Sequence, residues 1–124
     1  VAPFAQWMGD SGMRGIFAVD VAVVPEGDKT HYVAIECNPR FNGSSYPTLV
    51  AKRLGIPQWS SATYNTRLRS LKDLQLQDLA YDSTTGQGVI LINWGTIQAG
   101  KISVLLAGSE RDQASLGQSL QARL

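Results

Sequence analysis

The sequence predicts an α+β fold with antiparallel strand pairing, and three observations carry that prediction. Residues 16–24 and 32–38 alternate with period two on either side of a polar turn. Two further apolar runs, residues 89–94 and 102–107, lie close enough in sequence to form a second hairpin. Stretches of helical period lie near the start, the middle and the end of the chain.

Taken in order, residues 3–13 predict a short helix with Phe4, Trp7 and Met8 on one side. In residues 16–24 the bulky Phe17, Val19, Val21 and Val23 alternate with Ile16, Ala18, Asp20 and Ala22, which is a strand with one large and one mostly small face. Residues 25–30 read as a turn, and Pro39 ends the second strand. Pairing Val23 with Val33, Val21 with Ile35 and Val19 with Cys37 makes one face apolar; the same register sets Asp20 opposite Glu36, Ala18 opposite Asn38 and Ala22 opposite Ala34. A two-residue shift keeps the faces and moves the carboxylates to a diagonal. Asn42-Gly43-Ser44-Ser45 then caps a helix over residues 46–54, with Pro47 in its first turn and Gly55 as its stop. Residues 58–69 fit either a strand or an extended loop. Residues 70–79 read as a helix that turns Leu71, Leu74 and Leu79 inward. After the second hairpin, Ser109-Glu110-Arg111-Asp112 opens a last helix with an apolar seam of Leu116, Leu120 and Leu124.

Composition bounds the function. At 124 residues and 44% hydrophobic, the chain can bury one core as a single domain, residues 1–124. A net charge of +1 gives no basic excess for nucleic-acid binding, so none is expected. No apolar run approaches the ~20 residues of a membrane span, so no membrane partner is expected either. The single Cys37 excludes an internal disulfide and fits a reducing cytoplasm, and with His31 the only histidine, zinc sites of several His or Cys ligands are excluded. No phosphate-loop glycine motif is present.

One cluster calls for chemistry. Like charges opposite one another on a hairpin are unfavourable, and Asp20 faces Glu36 with Asn38 alongside. A divalent cation between them resolves the repulsion, and hard oxygen donors suit Mg²⁺ or Mn²⁺. Arg40, two residues beyond Asn38, carries a planar fork suited to a phosphate oxygen. The bland alternative is a set of solvated side chains on an open hairpin face.

Residues Gly15-Ile16-Phe17-Ala18-Val19-Asp20-Val21 and Ile35-Glu36-Cys37-Asn38-Pro39-Arg40 resemble the C-terminal part of ATP-grasp enzymes, the carboxylate–amine ligases that include carbamoyl-phosphate synthase large chain and biotin carboxylase. The resemblance covers residues 1–57; residues 58–124 form an extension of no assigned subfamily. It implies that Asp20, Glu36 and Asn38 hold Mg²⁺ (or Mn²⁺), that Glu36, Asn38 and Arg40 bind ATP, and that Arg40 is catalytic, steadying the transferred phosphate. It also implies a substrate-facing loop at Gly43, Ser44 and Ser45. The implied reaction activates a small carboxylate as an acyl phosphate and passes it to an amine or thiol. In such enzymes the lysines and loop that cover ATP lie N-terminal to this segment. The abrupt opening at Val1 then reads as the edge of a longer chain, inactive alone, whose uncovered apolar surface could self-associate. The alternative is a non-catalytic module of the same fold that pairs with another chain.

The other conspicuous residues read as structural. His31 is assigned to the surface and Cys37 to a buried apolar position on the face away from Glu36. Trp59, Tyr64 and Trp94 are assigned to core or interface packing, with the lining of a substrate pocket as the lesser reading, and Arg67, Arg69 and Lys72 to solvated faces, with Arg67 or Arg69 as lesser candidates for a substrate carboxylate.

Overall fold

The computed structural model describes residues 2–124. Among these, three helices and two antiparallel sheets establish the α+β class. The chain divides into two compact units, one running to Ser45 and one spanning Tyr46–Leu124.

The first unit carries helix α1, Ala2–Asp10, and a hairpin of strands β1, Ala18–Glu26, and β2, Lys29–Asn38. Helix α1 is shorter than residues 3–13, and its Phe4 and Trp7 rings lie 5.8 Å apart. The hairpin turn is also tighter than expected. Glu26 pairs with Lys29, which leaves only Gly27 and Asp28 as the loop. Gly27 has φ of +57° and no non-glycine residue among the described residues has positive φ, the sign pattern of a II′ turn, whose twist matches that of the strands. None of residues 2–44 is buried.

The second unit is built on a three-stranded sheet in the order β3-β5-β4, with β3 Trp59–Asn65, β4 Gly88–Asn93 and β5 Lys101–Ala107. Strand β5 is central and antiparallel to both neighbours. Its alternation feeds two cores. Ile102, Val104 and Leu106 pack with Leu74, Val89 and Leu120, whereas Leu105 and Ala107 pack with Ala51 and Ile56. Helix α3, Glu110–Gln121, supplies Leu120 to the first core; helix α2, Ser45–Leu54, supplies Ala51 to the second. Burying side chains such as Ile102 and Leu105 contributes about 1.5–3 kcal/mol each. The predicted capping box is present on α3: Ser109 Oγ accepts from the Asp112 amide, and the Ser109 amide donates to Asp112.

Residues 70–79 are not a helix. Only Leu71–Asp73 forms a 3₁₀ turn, and Leu74 is extended at φ −86°, ψ 112°. The inward residues are nonetheless those expected, since Leu71, Leu74 and Leu79 all reach the first core. Leu76 reaches it too, and residues two apart cannot share one face of a helix. Residues 58–69, open between strand and loop, yield β3. Trp59 and Tyr64 pack against the two cores as expected, but Trp94 is 54% exposed.

Candidate functional site

The acidic cluster forms at the end of the hairpin far from its turn. Three pairs have the expected register: Ala18 with Asn38, Val19 with Cys37, and Asp20 with Glu36. Asp20 and Glu36 therefore share one face with Asn38. Beyond them the register slips, because Val21 pairs with Ala34 and Ala22 with Val33. Ile35 is the extra residue, a β-bulge on β2. Its consequence is a correction: Val33 lies opposite Ala22, not Val23, and so joins the face that carries Asp20. Tyr32 takes its place opposite Val23, and Ala34 lies opposite Val21 in place of Ile35.

The physical cause is a conflict between the two ends. The two-residue turn at Gly27–Asp28, continued without interruption, would pair Asp20 with Ile35 and Val19 with Glu36. The bulge absorbs that one-residue difference and restores Asp20 to Glu36.

Hydrogen bonds link Asp20, Asn38 and Arg40 into a chain. Asn38 Nδ2 donates to Asp20 Oδ2 at 3.5 Å, at the long limit for such a bond. Arg40 Nη2 donates to Asn38 Oδ1 at 3.2 Å, and the Arg40 amide donates to the Asn38 carbonyl at 2.9 Å. The second pair of contacts folds the Asn38–Arg40 segment back on itself and holds the guanidinium beside the carboxamide. Asp20, Glu36 and Arg40 are exposed and Asn38 is half-buried, so a solvent-borne ligand can reach all four. Among the described residues no three His, Cys, Asp or Glu side chains gather to hold a metal ion; the cluster offers two carboxylates and an amide oxygen. That set is hard and anionic, the chemistry that Mg²⁺ or Mn²⁺ prefers. The Asn38 oxygen keeps a second lone pair beyond its bond to Arg40.

The loop after Arg40 is organised by Asn42. Its Oδ1 accepts from the amides of Ser44 and Ser45, at 3.0 and 3.1 Å, and from Ser45 Oγ at 3.0 Å. Ser45 Oγ in turn accepts from the Asn42 amide, and Ser45 is buried. Gly43 and Ser44 are exposed, and a Cβ on Gly43 would meet open space. On the other face Cys37 is half-buried beside Val19 and Phe4, which line a shallow hollow of about 210 Å³. His31 is exposed near the turn, with Nε2 2.8 Å from Glu26. The residue overlooked on the acidic face is Val33, and the signal that would have found it is Gly27-Asp28 read as a two-residue turn.

Comparison with family models, with curated proteins and with solved structures returned no match. No helix among the described residues is long and apolar enough to cross a membrane.

Proposed function

We propose that the Asp20, Glu36, Asn38 and Arg40 cluster is a cation–phosphate site, and that the chain is the C-terminal portion of an ATP-dependent ligase that activates a carboxylate as its acyl phosphate. The observation that carries this reading is the Asp20–Glu36 pairing across the Ile35 bulge. Directly opposed like charges are unfavourable, and bulges concentrate next to active sites, where they re-aim side chains. A site that gathers a cation explains both facts. Asp20 and Glu36, with the Asn38 oxygen once its carboxamide turns towards them, would hold Mg²⁺ or Mn²⁺, which supplies positive charge against phosphate oxygens. Arg40, held by Asn38, is suited to a phosphate oxygen of ATP or of the acyl phosphate. The cytoplasm is the compartment this chemistry fits.

The test is a Mn²⁺ titration, with and without ATP, followed by paramagnetic broadening of backbone amide signals. The expected result is selective broadening at residues 18–20 and 36–40 that strengthens with ATP. The Glu36→Gln, Asn38→Ala double variant should raise the Mn²⁺ concentration required by about tenfold or more. Broadening spread evenly over the acidic residues, or unchanged in the variant, overturns the reading.

A second reading has its own observation. Tyr32, Ile35 and Val23 are 70%, 69% and 61% exposed, which is a large apolar cost on one hairpin. A non-catalytic module that pairs with another chain through this hairpin accounts for them. It predicts that the Glu36→Gln, Asn38→Ala variant leaves pairing intact while Tyr32→Ser weakens it.

A further inference from the structure

A different hollow lies wholly within the second unit. It has a volume of about 380 Å³, and its walls include Arg69, Ser70, Leu71, Lys72, Trp94 and Ile97. The size is that of a small-molecule site. Two cations line it and no carboxylate does. Among the described residues the ion pairs are His31 with Glu26 and Arg123 with Asp78, so neither Arg69 nor Lys72 is neutralised by a carboxylate.

Arg69 is held rather than loose. Its Nη1 donates to the carbonyls of Thr66 at 3.2 Å and Leu68 at 3.1 Å. It also passes close to Gly100, where a Cβ would lie 3.4 Å from Nη1. Its Nη2 and Nε have no acceptor among the described residues, so two nitrogens of a fixed fork, with three N–H donors, remain for a ligand. Orientation by the backbone lowers the entropy that a flexible arginine would lose on binding.

Trp94 stands at the opening of the 3₁₀ helix Gly95–Ala99. Indole rings carry 150–250 Å² of surface that favours burial, yet Trp94 is half exposed and stacks on no other ring among the described residues. Ile97, buried, and Leu71, half-buried, complete an apolar wall. An apolar ring face beside two uncompensated cations selects for a molecule with both characters.

We infer that this hollow binds a small aromatic acid, its ring against Trp94 and its anionic group, a carboxylate or a phosphate monoester, on Arg69 and Lys72. The site uses no residue of the hairpin cluster and stands or falls apart from it. The three tryptophans give three indole N–H signals, and Trp94→Phe identifies the one concerned. The ¹⁵N-labelled chain is titrated with benzoate, phenyl phosphate, inorganic phosphate and benzamide. The expected result is a saturable shift of the Trp94 indole signal with benzoate or phenyl phosphate, the tighter of the two naming the anionic group. Arg69→Gln should raise that dissociation constant about tenfold while the remaining amide signals stay in place. The Lys72 ammonium makes no hydrogen bond among the described residues, and Lys72→Gln, the second variant, should weaken binding in the same direction. The inference is overturned if benzamide binds as tightly as benzoate, if inorganic phosphate alone produces the same shift, if no probe saturates below about 10 mM, or if both variants bind like the wild type.

Discussion

Replacing Gly88 by alanine should destabilise the second unit severely, and the geometry sets the size of the effect. Gly88 is buried at the start of β4 with φ of +129°. A Cβ there would lie 2.5 Å from Tyr81 Cα and 2.6 Å from the Ala80 carbonyl oxygen. Both obstacles are backbone, and they cannot retreat freely. The Val89 amide donates to Leu79 at 2.7 Å, the Tyr81 amide to Val89 at 3.1 Å, and the Asp82 amide to Gln87 at 2.9 Å. Backbone strain at positive φ costs about 1–3 kcal/mol, and overpacking a filled site costs about 1–3 kcal/mol more. The expected loss for Gly88→Ala is therefore about 4 kcal/mol, a large part of the roughly 5–15 kcal/mol that holds an ordinary domain. Gly86→Ala is the comparison without overpacking, because Gly86 has a milder positive φ of +72° and a Cβ added there would meet nothing within 4 Å. It should cost only about 1–2 kcal/mol. Urea unfolding followed by far-ultraviolet circular dichroism measures both. If Gly88→Ala loses no more than Gly86→Ala, the close approach of residues 80–81 to β4 is wrong.

Two further outcomes follow from particular contacts. Arg123 donates to both Asp78 oxygens at 2.6 and 2.7 Å, and this hydrogen bonding pulls the Asp78 pKa from 3.8 down to about 2. Because the folded value lies below the unfolded one, the stabilisation is present above the unfolded value and is lost progressively as pH falls from about 5 to about 1; urea midpoints of wild type and Asp78→Asn should differ most at pH 6 and draw together as pH falls through about 2, and a gap as wide at pH 2 as at pH 6 refutes the assignment. Deleting Ile35 should remove the bulge and let the ladder run from Val21–Ala34 directly to Asp20–Glu36, so that the carboxylates stay opposed and selective Mn²⁺ broadening at residues 18–20 persists while the second unit keeps its amide spectrum; loss of the broadening counts against the Asp20–Glu36 pairing as what gathers the cation.

The parts of the fold legible in the sequence are those where one local signal dominates. Strand β4 has an unbroken apolar run and β5 one interrupted only by Ser103, and Ser109 with Asp112 marks the start of α3 through side-chain chemistry that works in isolation. Strand β3 is ambiguous in sequence because Ser60, Ser61 and Thr63 dilute its apolar alternation; its place at the sheet edge, where Thr63 and Ser103 share a 2.8 Å hydroxyl contact, needs the partner strand to be visible. The helix expected at residues 70–79 fails for a related reason. Leu71, Leu74 and Leu79 satisfy a helical spacing, but Leu76 is drawn into the same core, and tertiary burial overrides the local period. Arg69 and Trp94 are legible as lesser candidates for a substrate carboxylate and a pocket wall, and Lys72 as a solvated face, but their grouping is not, since nothing in their spacing brings residues 69–72 beside residue 94.

The acidic cluster is legible down to its pairs, and the reason bears on its purpose. The alternation of β1 and β2 sets Asp20 opposite Glu36, yet the turn actually used would keep them on different faces. An uninterrupted hairpin from Gly27–Asp28 pairs Glu36 with Val19, so that Asp20 and Glu36 never meet and their repulsion is avoided. The chain instead places Ile35, 69% exposed, as an extra residue that gives up a ladder position and brings the two carboxylates face to face. Both consequences oppose stability: the bulge interrupts the ladder and the like charges repel. Local rules are broken in real proteins mainly where function requires it. The combination of a register-changing bulge, two opposed carboxylates, and an arginine tethered to the neighbouring asparagine is therefore harder to account for as a solvated surface than as a site awaiting positive charge and phosphate.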